Sequence, residues 1–75
     1  MTVQGGCQTI EVSVNGAKHT VPAQLTILTL LQHLEIAPER VAVELNRQII
    51  RQPDWSATEI TPGSSLEIVQ FVGGG

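Results

Sequence analysis

The chain has 75 residues, four basic and seven acidic, and a net charge of −3. One domain fits that length, with modest stability, because so short a chain buries only about 60% of the surface it exposes when unfolded. Four cations are too few for a nucleic-acid-binding face, Trp55 and Phe71 alone make no base-stacking platform, and no apolar run nears the ~20 residues of a membrane span.

Residues 1–8 are polar and glycine-containing and read as a disordered leader. They have neither the basic start nor the apolar core of a signal peptide, which together with an unpaired cysteine points to the cytoplasm. Cys7 is the only cysteine, so an intramolecular disulfide and a cysteine zinc cluster are excluded. Nothing near Cys7 in sequence is arranged to lower a thiol pKa, and it reads as a spare residue of the leader.

Thr9-Ile10-Glu11-Val12-Ser13-Val14 alternates with period two and predicts a half-buried strand with Ile10, Val12 and Val14 inward. Asn15-Gly16, two residues that tolerate positive φ, predicts a tight hairpin into a second strand over Ala17 to Val21, ending at Pro22. Thr26 is placed to cap a helix, and Ile27, Leu30, Leu31 and Leu34 follow at i, i+3, i+4 and i+7, one apolar stripe for packing on a sheet. Pro38 is expected to end that segment. His33 lies off the stripe and His19 stands alone on a short strand, so neither has a metal-binding role.

Val41 to Leu45 predicts a third strand, Asn46-Arg47 its turn, and Gln48 to Arg51 a short fourth strand. Pro53-Asp54-Trp55 predicts a single helical turn whose indole covers an edge of the core. Pro62-Gly63 is a turn, and Leu66 to Gln70 the last strand. The order ββαβββ, with one helix to bury one stripe, predicts an α+β protein of β-grasp type, a mixed sheet of four to five strands packed on one main helix. The domain is expected over residues 9–70, with residues 71–75 a flexible tail.

That tail, Phe71-Val72-Gly73-Gly74-Gly75, has two readings from the residues alone. It is a frayed end or linker remnant, or it is the working part. Glycines lack Cβ and can thread a narrow channel, carrying a backbone carboxylate to a partner's atoms. Five extended residues reach at most roughly 17 Å. Phe71 either closes the core at the end of the last strand or, with Val72, anchors a partner. No nucleophile–base pair, glycine-rich phosphate loop or paired-carboxylate motif supports catalysis by the chain itself, and Glu44 and Glu67 fall at outward-facing strand positions.

The ordered blocks Val41-Ala42-Val43-Glu44-Leu45-Asn46, Ile49-Ile50-Arg51, Pro53-Asp54-Trp55, Leu66-Glu67-Ile68-Val69 and Val72-Gly73-Gly74-Gly75 resemble the ThiS family, ubiquitin-like sulfur carriers of thiamine thiazole biosynthesis. The similarity runs from about Ile10 to Gly75. Two turns depart from the family: Asn46-Arg47 stands where Asn-Gly is common, which suggests a different local turn type. Pro62-Gly63-Ser64-Ser65 replaces an acidic Asp-Gly-Asp.

The resemblance implies a protein substrate rather than an enzyme. A ThiF-like adenylating enzyme would use ATP and Mg to activate the Gly75 carboxylate, and the chain itself would bind no cofactor. Sulfur derived from cysteine through a desulfurase would convert Gly75 to a thiocarboxylate, with Gly73 and Gly74 giving clearance for threading. A ThiG-like thiazole synthase would take the sulfur. The rival readings are a molybdopterin-synthase small subunit, which the proline-free Phe71-Val72-Gly73 fits less well, a ubiquitin-like protein modifier, and a binding domain with an incidental tail.

Overall fold

The computed structural model describes residues 8–71. Strands β1 (Thr9–Val14), β2 (Ala17–Pro22), β3 (Val41–Leu45), β4 (Gln48–Ile50) and β5 (Ser65–Gln70) form one sheet in the order β2-β1-β5-β3-β4. The β1–β5 pair is parallel and the other three are antiparallel. Helix α1 (Ile27–His33) lies between β2 and β3 in sequence and packs on one face. This is the β-grasp arrangement expected from the patterns, with all five strands present.

The alternation seen in sequence decides the faces. Val12, Val14, Val21, Val43, Leu66 and Ile68 point to the helix and are buried, while Glu11, Glu44, Glu67 and Val69 face outward. Ile27, Leu30 and Leu31 of α1 are fully buried against them, and Leu34 is half-buried. Each such side chain contributes about 1.5–3 kcal/mol by leaving water, which is how so short a helix persists.

Both ends of α1 are closed by specific hydrogen bonds. At the start, the Thr26 hydroxyl accepts from the Thr29 N–H at 3.2 Å, and the Thr29 hydroxyl accepts from the Thr26 N–H at 2.8 Å. This is a capping box with threonine in place of the usual Glu or Gln. The end departs from expectation, since the helix stops at Leu34 and not at Pro38. Glu35 turns left-handed (φ +61°), its N–H bonds the Gln32 carbonyl, and the Ile36 N–H bonds the Leu31 carbonyl. That pair of bonds satisfies free carbonyls of the last turn and terminates the helix four residues before Pro38. Pro38 instead opens a 3-10 turn, Pro38–Arg40.

The long connection from β4 to β5 closes the core. A 3-10 segment, Gln52–Ala57, buries Trp55, whose indole N–H donates to the Ile50 carbonyl at 2.8 Å. The chain then crosses the start of α1: the Ile27 N–H bonds the Thr58 carbonyl, and the Ile60 N–H bonds the Leu25 carbonyl. Ile60 is thereby buried in the core, although nothing in its local pattern predicts it. A Pro62-Gly63 turn with Gly63 at φ +80° and a Ser64 N–H to Thr61 carbonyl bond leads into β5. The fourth strand stops at Ile50, one residue short of the expected Arg51.

Candidate docking face and tail exit

The residues expected to carry function follow β5 in sequence. β5 is central, paired to β1 on one side and to β3 on the other. Two asparagines add to its ladders. Asn15 accepts from the Ile68 N–H at 2.7 Å and donates to the Ile68 carbonyl at 3.1 Å, and Asn46 accepts from the Ser65 N–H at 2.9 Å. Beyond Gln70, the Phe71 N–H bonds the Arg40 carbonyl at 2.8 Å, which carries the β3–β5 pairing one residue further.

Of the two readings of Phe71, closing the core is ruled out: the ring is 57% exposed. Val72, Gly73, Gly74 and Gly75 lie outside the described residues. So do Cys7 and the residues before it, while the Gln8 carbonyl accepts from the Ala23 N–H and prolongs the first hairpin.

Phe71 is not alone. Ile49 and Val69 are the other exposed large hydrophobic residues among those described, at 73% and 59%. In register, Val69 opposes Ala42, Glu67 opposes Glu44, and Glu44 opposes Ile49. All of these point away from the helix. The outer face therefore has an apolar zone toward the tail exit and two carboxylates directly opposite each other beside it. No side-chain hydrogen bond among the described residues ends on either carboxylate; those bonds belong to Asn, Thr, Ser and Trp side chains.

An open groove of about 390 Å3 adjoins this zone, with Ala42, Ile49, Arg51, Pro53, Trp55 and Phe71 in its wall. It exists because β4 pairs only with Val43 to Leu45, leaving the start of β3 uncovered on that side.

Sequence reasoning reached Phe71 and missed Ile49 and Val69, but the signal was there. Ile49-Ile50 and Ile68-Val69 each place two apolar residues in succession on a sheet with one solvent face. One of each pair must point outward. Among the described residues no group of three or more His, Cys, Asp or Glu is placed to hold a metal ion.

The ThiS family matches residues 8–75. Over 66 residues the chain is 35% identical to a thiazole synthase of Magnetococcus marinus and 33% identical to one of Paramagnetospirillum magneticum. Each match takes in 88% of this chain and 20% of the relative, so the chain spans about one fifth of the length of these curated relatives. The fold superposes on a crystal structure of a thiamine biosynthesis protein, ThiS, from Geobacter metallireducens with a TM-score of 0.78 at 35% identity. That alignment covers 88% of this chain and all of the other.

Proposed function

The chain belongs to the ThiS family of thiamine-biosynthesis sulfur carriers, and from that membership we propose that its Gly75 carboxylate is the group that is activated and carries sulfur. The observation that carries the reading is the extent of the family match, which runs through the glycine tail to residue 75.

The chemistry needs two steps. A free carboxylate is a poor electrophile, so a ThiF-like enzyme joins the Gly75 carboxylate to the α-phosphate of ATP with Mg and releases pyrophosphate. A sulfur nucleophile of cysteine origin, delivered through a desulfurase, then attacks the acyl carbon and AMP leaves. Where that nucleophile is a donor persulfide the product is an acyl disulfide, and a thiol reductant then cleaves its S–S bond to leave Gly75 as a thiocarboxylate. A ThiG-like thiazole synthase takes the sulfur. Support for that recipient comes from the relatives named thiazole synthase, which contain a segment like this chain within a longer polypeptide.

In this reading the carrier contributes presentation. The domain supplies a surface on which Phe71 and Val72 meet the partner, and Gly73 and Gly74 let the backbone enter a channel that a Cβ would block. No helix among the described residues is long and apolar enough to cross a membrane, and the cytoplasm, where ATP is at hand, is a setting that suits this chemistry.

Intact mass spectrometry tests the proposal. Incubation with a cognate adenylating enzyme, Mg-ATP and a cysteine-derived sulfur source is expected to add the mass difference of one oxygen replaced by sulfur. Deleting Gly75 is expected to abolish the gain. An unchanged mass with an enzyme proven active on another carrier overturns the reading.

A further inference from the structure

We propose that Asn15-Gly16 is a self-modification site, at which the Asn15 carboxamide hydrolyses to an acid through a cyclic imide, and that its two bonds to Ile68 hold the reaction back. The chain has two asparagines, Asn15 and Asn46, and only the first precedes a glycine.

The reaction needs nothing beyond water. The Gly16 backbone nitrogen attacks the carboxamide carbon of Asn15, the bond from that carbon to Nδ2 breaks, and ammonia leaves with the proton of the attacking nitrogen. Water then opens the five-membered imide at either carbonyl. The products are an aspartate and its isomer, in which the main chain runs through the side-chain carbon. One water is consumed and one ammonia released. Glycine has no Cβ to crowd the attacking nitrogen. The surroundings do not crowd it either, since a Cβ built on Gly16 would meet nothing within 4 Å. Both residues are exposed, so water reaches them.

In the fold, however, the same carboxamide is occupied. Oδ1 accepts from the Ile68 N–H at 2.7 Å and Nδ2 donates to the Ile68 carbonyl at 3.1 Å. Turning the group toward Gly16 breaks both bonds. Conversion is thereby tied to release of the first hairpin turn from β5, a local opening with a free energy of its own. Asn46 differs in its neighbour, because Arg47 sets a side chain beside the nitrogen that would attack.

The product cannot restore the clamp. An ionised carboxylate only accepts hydrogen bonds. It still receives the Ile68 N–H, but it sets an oxygen against the Ile68 carbonyl where Nδ2 had donated. Ile68 is 9% exposed, so water is poorly placed to supply the missing donor. The isomer adds a carbon to the backbone of a turn built for two residues at φ +52° and +84°. Each conversion leaves a chain whose last strand is held less firmly than before.

Site-resolved mass spectrometry of the full chain, aged at mildly alkaline pH with and without denaturing urea, tests the site and its restraint. In urea Asn15 is expected to convert ahead of Asn46. In the folded chain Asn15 is expected to convert at least about tenfold more slowly than in urea. Asn15→Asp stands in for the first product and is expected to lower the thermal midpoint and speed hydrogen exchange at the Ile68 N–H at least about tenfold. Partly aged parent chain gives the same exchange reading without a substitution, and Asn46→Asp is expected to leave exchange at Ile68 unchanged.

If Asn46 keeps pace with Asn15 in urea, the site is overturned. Equal rates for Asn15 with and without urea overturn the restraint by Ile68. Parent-like exchange at Ile68 in both Asn15→Asp and the aged chain overturns the loss of the clamp.

Discussion

The two hairpin turns share one backbone geometry and hold the same strand, yet they are made from unequal residues. Asn15-Gly16 has φ values of +52° and +84°, and Asn46-Arg47 has +51° and +71°. Both are tight turns with positive φ at both central positions. In each, the asparagine side chain reaches β5, with Asn15 bonding both backbone groups of Ile68 and Asn46 bonding the Ser65 N–H. The first turn uses glycine where φ is most positive, and the second forces an arginine into the left-handed region. The first sits at part-buried hydrogen bonds and the second at an exposed one. A turn can therefore be chosen for what its side chain clamps as much as for what its backbone prefers.

The largest expected effect comes from breaking the stronger clamp. Asn15→Ala leaves the N–H and C=O of a nearly buried Ile68 without partners and is expected to destabilise the fold by about 3 kcal/mol. Urea unfolding with an unchanged m-value checks it. Asn46→Ala removes one exposed bond and is expected to lower stability by about 1.5 kcal/mol; an effect as large as that of Asn15→Ala would erase the distinction between the turns.

The backbone half of the comparison can be tested by exchanging the second residues. A Cβ at position 16 meets nothing within 4 Å, so Gly16→Arg isolates the conformational cost, about 1 kcal/mol, readable as a lowered thermal midpoint. Arg47→Gly is expected to go the other way and stabilise by about 0.5 kcal/mol, relief of the left-handed arginine being partly offset by glycine's greater unfolded-state entropy.

These turns also mark what could be read from the sequence. Asn15-Gly16 was legible because both residues favour the geometry they adopt. Asn46-Arg47, where a different turn type was expected, keeps the tight positive-φ geometry because Asn46 is tied to Ser65, a residue 19 positions away. The early end of α1 was missed for a related reason: glutamate is a poor signal for a left-handed helix stop, and Pro38 was a louder one. Ile60 escaped notice because its burial depends on pairing with Leu25 across the helix start and not on any repeat of its own. The glycine tail is candidate chemistry on composition and family resemblance alone, and Val72 to Gly75 lie outside the described residues. The apolar face that precedes it was visible only as doubled apolar residues, whose exposed member needed the strand register to identify.

The central place of β5 has a mechanical consequence. A partner that grips the tail pulls on a strand bonded to neighbours on both sides, with Asn15 and Asn46 fastening it along its length. Traction along such a strand loads two ladders together, whereas an edge strand such as β4 has a single ladder to resist it. A pull on the end of β5 is thus borne by two ladders and two asparagine clamps together.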